Sequence, residues 1–160
     1  MQSEYEAAGI SFSLFIDQER SEYVTEQLRN FNKPHLENLP SSPDMPPIAA
    51  PLEIYALNDD GKVIGGLIGR THSIRDWFEV SVIWVKENVR GRGIGRQLMA
   101  LSEQEAVSRG CRYARLATSD YQAPGFYPKL GYELYGKLEN CPPGVTCFYY
   151  RKDLGGQNGL

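Results

Sequence analysis

Val85-Lys86-Glu87-Asn88-Val89-Arg90-Gly91-Arg92-Gly93-Ile94-Gly95-Arg96 is the stretch from which the rest of the chain is read. Upstream of it, residues 76–85 carry Trp77, Phe78, Val80, Val82, Ile83, Trp84 and Val85, a β-branched and aromatic run that predicts a long, largely buried strand central to a sheet. Downstream, residues 93–109 become helical. Ile94, Leu98 and Leu101 form a stripe that widens through Ser102 and Ala106, Glu105 intrudes on it, and Gly110 supplies a C-terminal stop. Between strand and helix, glycines at 91, 93 and 95 let backbone N–H groups converge without Cβ obstruction. The helix start adds unpaired donors and about half a positive charge. Arg90, Arg92 and Arg96 add charge-assisted donors suited to phosphate oxygens. The chemistry fits a pyrophosphate; on glycine spacing alone, a turn with solvated arginines fits equally. A dinucleotide fingerprint places Gly-x-Gly-x-x-Gly directly after its strand, and a P-loop ends in Gly-Lys-Ser or Gly-Lys-Thr. Alternating glycines followed by Gly95-Arg96-Gln97 meet neither pattern.

Working outward, residues 53–57 and 63–68 flank Asn58-Asp59-Asp60-Gly61 and read as a β-hairpin. Residues 11–16 read as a short strand. Val24, Leu28 and Phe31 fall at helical spacing after possible caps at Asp17 or Ser21. Residues 33–51 hold six of the ten prolines, a composition that opposes a regular helix or a central strand. This segment is either a loop walling a binding site or a surface loop. Beyond Gly110, residues 113–118 predict a strand, 125–130 a short helix, and 132–134 and 146–150 two last strands. The whole predicts one α/β domain over residues 1–154, with a mixed sheet covered on both faces and a frayed tail at 155–160.

The totals narrow the function classes. A chain of 160 residues with 41% hydrophobic and 23% charged residues suits a single globular domain. A net charge of -3 leaves no basic excess for a duplex, so nucleic acid is not the expected partner. No apolar run approaches the roughly 20 residues that span a bilayer, and residues 1–9 are acidic, so the expectation is a cytoplasmic protein with no membrane partner. Cys111, Cys141 and Cys147 lack metal-ligand spacing and read as reduced structural thiols; no metal is expected.

Arg90-Gly91-Arg92-Gly93-Ile94-Gly95 resembles the Arg/Gln-x-x-Gly-x-Gly/Ala signature of the GNAT superfamily of acetyl-CoA-dependent N-acetyltransferases. Asp120-Tyr121-Gln122-Ala123-Pro124-Gly125-Phe126-Tyr127-Pro128-Lys129-Leu130-Gly131-Tyr132 resembles that family's Asn-x-x-Ala-x-x-Phe-Tyr-x-Lys-x-Gly-Phe segment. The resemblance implies a GNAT-like acyl-CoA N-acyltransferase fold, with a mixed, mostly antiparallel sheet. Its co-substrate is acetyl-CoA, its acceptor a primary amine, here expected to be a small molecule, with protein lysines or N-termini and a non-catalytic acetyl-CoA-binding module as alternatives. A homodimer is a further implication. Carried over by position, Ile83, Trp84 and Val85 offer backbone contacts to the pantetheine arm. Arg90, Gly91, Arg92, Gly93, Ile94, Gly95 and Arg96 hold the pyrophosphate. Asp120 stands where the family usually has an Asn that reaches the cofactor arm, and Tyr127 matches the general acid.

Glu79 matches the place where some members keep a glutamate base, and a period of two puts it on the face of Ser81, Ile83 and Val85. A carboxylate in an apolar strand is either a base with a partner or a wet cleft, or simply the solvated start of the strand. Tyr127 has a similar alternative, as an aromatic anchor of the short helix. His72 and His35 read as surface or satisfied polar residues rather than bases. Cys111, after the helix-ending glycine, does not suit a thiol mechanism.

Overall fold

The computed structural model describes residues 14–37, 49–72 and 76–155. The chain divides into two compact units, residues 1–40 and 41–160. The first contains α1 (Gln18–Glu37). Asp17 caps it: its Oδ1 accepts from the Arg20 N–H at 3.0 Å, and its carbonyl from the Ser21 N–H. Contrary to the composition argument, α1 runs through Lys33, Pro34 and His35. Of the strand expected at 11–16, residues 11–13 lie outside the described residues and Leu14, Phe15 and Ile16 are not extended into a sheet.

The second unit is a six-stranded mixed sheet in the order β1-β2-β3-β4-β6-β5. Its strands are β1 (Ala49–Leu57), β2 (Val63–His72), β3 (Trp77–Val85), β4 (Tyr113–Ser119), β5 (Glu133–Leu138) and β6 (Cys147–Asp153). Only β3 and β4 are parallel; the other pairs are antiparallel. The hairpin forms as read, with Gly61 at φ +74° and Asn58 Oδ1 accepting from the Lys62 N–H at 2.8 Å. Pro51 lies within β1, which the composition argument had assigned to the loop. The strand tolerates it because β1 is the sheet edge, where a missing N–H breaks no ladder on the open side. The rest of the expected loop, residues 38–48, lies outside the described residues, as does the tail at 156–160.

A helix, α2 (Ile94–Ser108), packs across β1, β2 and β3. It buries Leu98, Met99, Ser102 and Ala106 against Leu52, Leu67, Phe78 and Val80. Leu101 is partly exposed and Met99 takes its place in the stripe. Glu105 lies on the solvated side, where it accepts from Arg109 Nε at 2.7 Å. Gly110, at φ +88°, ends the helix. Under the last turns of the chain, Tyr132 donates to Glu103 Oε1 at 3.0 Å and Lys152 Nζ to Glu103 Oε2 at 2.6 Å, joining α2 to β6. The expected helix at 125–130 is instead two 3-10 turns, Pro124–Phe126 and Pro128–Leu130. Each opens on a proline, whose fixed φ suits a first position and whose missing N–H denies the second turn a continuous α-helical ladder.

The feature that positions the site is a β-bulge in β3. Val80 stands opposite Gly69 and Val82 opposite Ile68, so Ser81 is an extra residue. The expectation of a largely buried strand is therefore corrected. Phe78 and Val80 are buried, but Val82 is 50% and Trp84 48% exposed. Gly69 permits the bulge, because a Cβ there would lie 2.5 Å from the Glu79 carbonyl oxygen and 2.7 Å from the Phe78 ring. Substituting Gly69→Ala should therefore destabilise the protein by about 1–3 kcal/mol, an overpacking cost. At about 2–4 °C per kcal/mol, the thermal midpoint should fall by several degrees. An unchanged midpoint would show that the bulge does not depend on this contact.

Candidate active site

Beyond the bulge β3 and β4 part. Their parallel register runs from Trp77 opposite Tyr113 to Val80 opposite Leu116 and stops. β4 continues to Ser119 on the β6 side, and β3 continues to Val85 on the β2 side. The Lys86 N–H donates to the Ile64 carbonyl at 2.9 Å, which fixes the alternation. Residues 82, 84 and 86 turn their polar groups to β2, and those of Ile83 and Val85 point the other way, into the gap. The Val85 carbonyl is met by Arg90 Nε at 2.9 Å, while Ile83 has no partner in β4.

At the mouth of the gap, Gly91 and Gly93 adopt φ +77° and +80°, the left-handed region that favours glycine. Gly93 is the N-cap of α2, and the first bond inside the helix runs from the Gln97 N–H to the Gly93 carbonyl. The N–H groups of Ile94, Gly95 and Arg96 are thus left at the helix start, aimed outward. Gly95 serves differently from the other two. It is helical, and the missing Cβ makes room for the Phe126 ring, whose Cζ would lie 3.3 Å from it.

These walls enclose a cleft of about 780 Å³. Ile83, Trp84, Val85, Arg90, Gly91, Gly93, Ile94, Gly95, Arg96 and Tyr127 all line it; Arg92 does not. The far wall, which sequence reasoning missed, comes from Leu116, Ala117 and Thr118 of β4 and from Tyr121, Gln122 and Phe126. Nothing local marks residues 116–118 as a wall; they become one only because pairing with β3 ends at Leu116.

Tyr127 sits between the two 3-10 turns and is 6% exposed. Its ring packs against Phe126 at 5.3 Å and Tyr150 at 5.7 Å between centroids. Burial pushes its pKa above the ordinary phenol value; a hydrogen bond with Thr118 opposes that, and Tyr150 adds to it. The hydroxyl is therefore a protonated donor at neutral pH.

Two expected site residues are set apart from the cleft. Asp120 Oδ2 accepts from the Thr146 N–H at 3.0 Å and ties the end of β4 to the start of β6. Glu79 precedes the bulge, and the extra residue at Ser81 breaks the period of two. Glu79 shares a face with Val82 and Trp84, not with Ile83 and Val85. Its Oε2 accepts from Arg115 Nε at 3.1 Å and Nη2 at 2.5 Å. His72 Nε2 lies 3.9 Å from the same oxygen. His35 is in α1 beside Phe31. Cys111 is buried, and burial raises its thiol pKa, which disfavours the thiolate. Among the described residues no Asp, Glu or His lines the cleft, and no cluster of metal-ligating side chains occurs.

A parallel strand pair that splays over a glycine-rich helix start, within a six-stranded mixed sheet, is the acyl-CoA N-acyltransferase fold. The family model "Acetyltransferase (GNAT) family" matches residues 16–132, and the chain belongs to that family. It is 39% identical over 110 residues to a blasticidin-S acetyltransferase from Streptomyces morookaense, covering 66% of this chain and 79% of that one. It is 37% identical over 101 residues to an acetyltransferase from Agrobacterium fabrum, covering 63% and 72%. Among solved structures, an acetyltransferase from Bacillus cereus ATCC 14579 superimposes with a TM-score of 0.71 at 26% identity, over 89% of this chain and 97% of that one.

Proposed function

We propose that this protein transfers the acetyl group of acetyl-CoA to the primary amine of a small molecule, within a ternary complex. The observation that carries the reading is the gap between β3 and β4, with the helix start at its mouth and Tyr127 in its wall. The backbone edge at Ile83 suits an amide-bearing arm. The N–H groups of Ile94, Gly95 and Arg96, with the side chains of Arg90 and Arg96, suit a pyrophosphate. A small-molecule acceptor is favoured by the 39% identity to a blasticidin-S acetyltransferase.

In the reaction the acceptor nitrogen attacks the thioester carbonyl and the carbon–sulfur bond breaks. The nitrogen loses a proton and the departing sulfur gains one. Tyr127 donates the proton to sulfur; a phenol whose pKa lies above its ordinary value of about 10 is then re-protonated readily at neutral pH. Since no carboxylate or imidazole among the described residues lines the cleft, water carries the amine's proton, and Glu79 holds Arg115 instead.

Three measurements test this reading. Acetyl-CoA at about 100 times its dissociation constant adds roughly 2.7 kcal/mol of stability, so the thermal midpoint should rise by several degrees, with no rise for NAD or ATP. No shift at millimolar acetyl-CoA would remove the donor assignment. Tyr127→Phe should lower kcat by about a hundredfold or more. Because burial raises the Tyr127 pKa, loss of the acid on the alkaline side should fall above pH 10. Turnover that is unchanged in the Phe variant, or a Tyr127-dependent limb at pH 8, would refute the acid role. Glu79→Gln should keep the wild-type shape of the pH–rate profile; a profile that loses a limb would restore Glu79 as the base.

A further inference from the structure

A second cavity, of about 320 Å³, is lined by His72, Trp77, Arg115, Tyr135 and Arg151. It lies on the face of the sheet away from α2, because Trp77 alternates with the buried Phe78 and Arg115 with the buried Ala114 and Leu116. Trp77 stacks on Tyr113 at 5.1 Å between centroids and makes a flat wall. Its charges are unevenly committed. Arg115 is held by Glu79 through two hydrogen bonds. Arg151, opposite Arg115 in register, stands 3.9 Å from the exposed Glu133, and among the described residues its guanidinium makes no hydrogen bond. His72 Nε2 is buried and has no hydrogen-bond partner. A buried polar atom left unmet is costly, and native structures leave few of them.

The cavity adjoins the donor cleft. Arg115 and Ala117 project from the same face of β4, about 7 Å apart for two residues of strand, and Ala117 lines the cleft. A molecule of modest length therefore reaches from one to the other. Resting on the acetyl-transfer reading above, we propose that the second cavity recognises a carboxylate carried by the acceptor: Arg151 binds the acid beside His72, a flat body lies along Trp77, and the amine enters the cleft. A monoanion suits this cavity better than a phosphate, since Arg151 is held only by its 3.9 Å ion pair with the exposed Glu133 and a second negative charge would face Glu79 and Glu133.

The probes are para-(aminomethyl)benzoate, its carboxamide, benzylamine and para-(aminomethyl)phenylphosphonate. They are titrated against tryptophan fluorescence with acetyl-CoA absent, then assayed for CoA release with it present. The benzoate should quench saturably, bind about tenfold or more tighter than the amide, and lose the quench in Trp77→Phe. In Arg151→Ala and Arg151→Gln its KM should rise about tenfold or more while kcat and the amide's KM stay put. Equal binding of acid and amide, or equal losses for both in the Arg151 variants, would overturn the proposal. A phosphonate that outcompetes the benzoate would overturn the choice of carboxylate. Saturable quenching without CoA release from any probe would overturn the acceptor role. A midpoint shift with acetyl-CoA but no response to the benzoate sinks this inference and leaves the transferase reading standing. No shift with acetyl-CoA removes the transferase reading itself, and the acceptor role with it.

Discussion

One extra residue in a strand organises this molecule. Ser81 has no partner in β2, and Gly69 opposite the bulge lets the backbone of β3 approach as no other residue would. A bulge bends its strand and sharpens its twist, so β3 leaves β4 after four paired positions. Ending a ladder inside a protein leaves polar groups unmatched, a cost that persists only where something else matches them. At Ile83 the unmatched groups face a cleft instead of a strand, and the cleft is where the glycine-rich loop and Tyr127 meet.

The same bulge separates the site's chemistry by face. Before it, Glu79 looks away from α2 and pairs with Arg115; after it, Ile83 and Val85 turn towards α2 and the core. The cleft is then lined by backbone, arginines and one buried phenol among other groups. The opposite side collects the ion-paired and imidazole groups around a second cavity. Among the described residues no carboxylate lines the cleft, and the one buried phenol there, Tyr127, is held protonated by burial.

The loop from Val85 to Arg96 was legible in the sequence because its physics is local. Left-handed turns at Gly91 and Gly93 and the free N–H groups of a helix start are set by neighbours a few residues apart. The hairpin around Asn58 and Gly61, the stripe of α2 and the place of Tyr127 in the cleft wall were legible for the same reason, or through the family resemblance they support. Even locally, composition misled at Pro34, which α1 contains, and at Pro51, where an edge strand has no partner to lose on its open side.

By itself, then, the sequence determined the hairpin, the glycine-rich turn into α2 and the family. Tertiary structure alone decided which face Glu79 occupies, that residues 116–118 form a cleft wall, that Asp120 braces Thr146, and that Arg115 and Arg151 share a cavity with His72. Those outcomes depend on register between strands that lie far apart in the chain, and a shift of one residue reverses every side chain beyond it. A period of two read along one strand has no means of detecting the residue that breaks it, because the bulge is defined only against the partner strand.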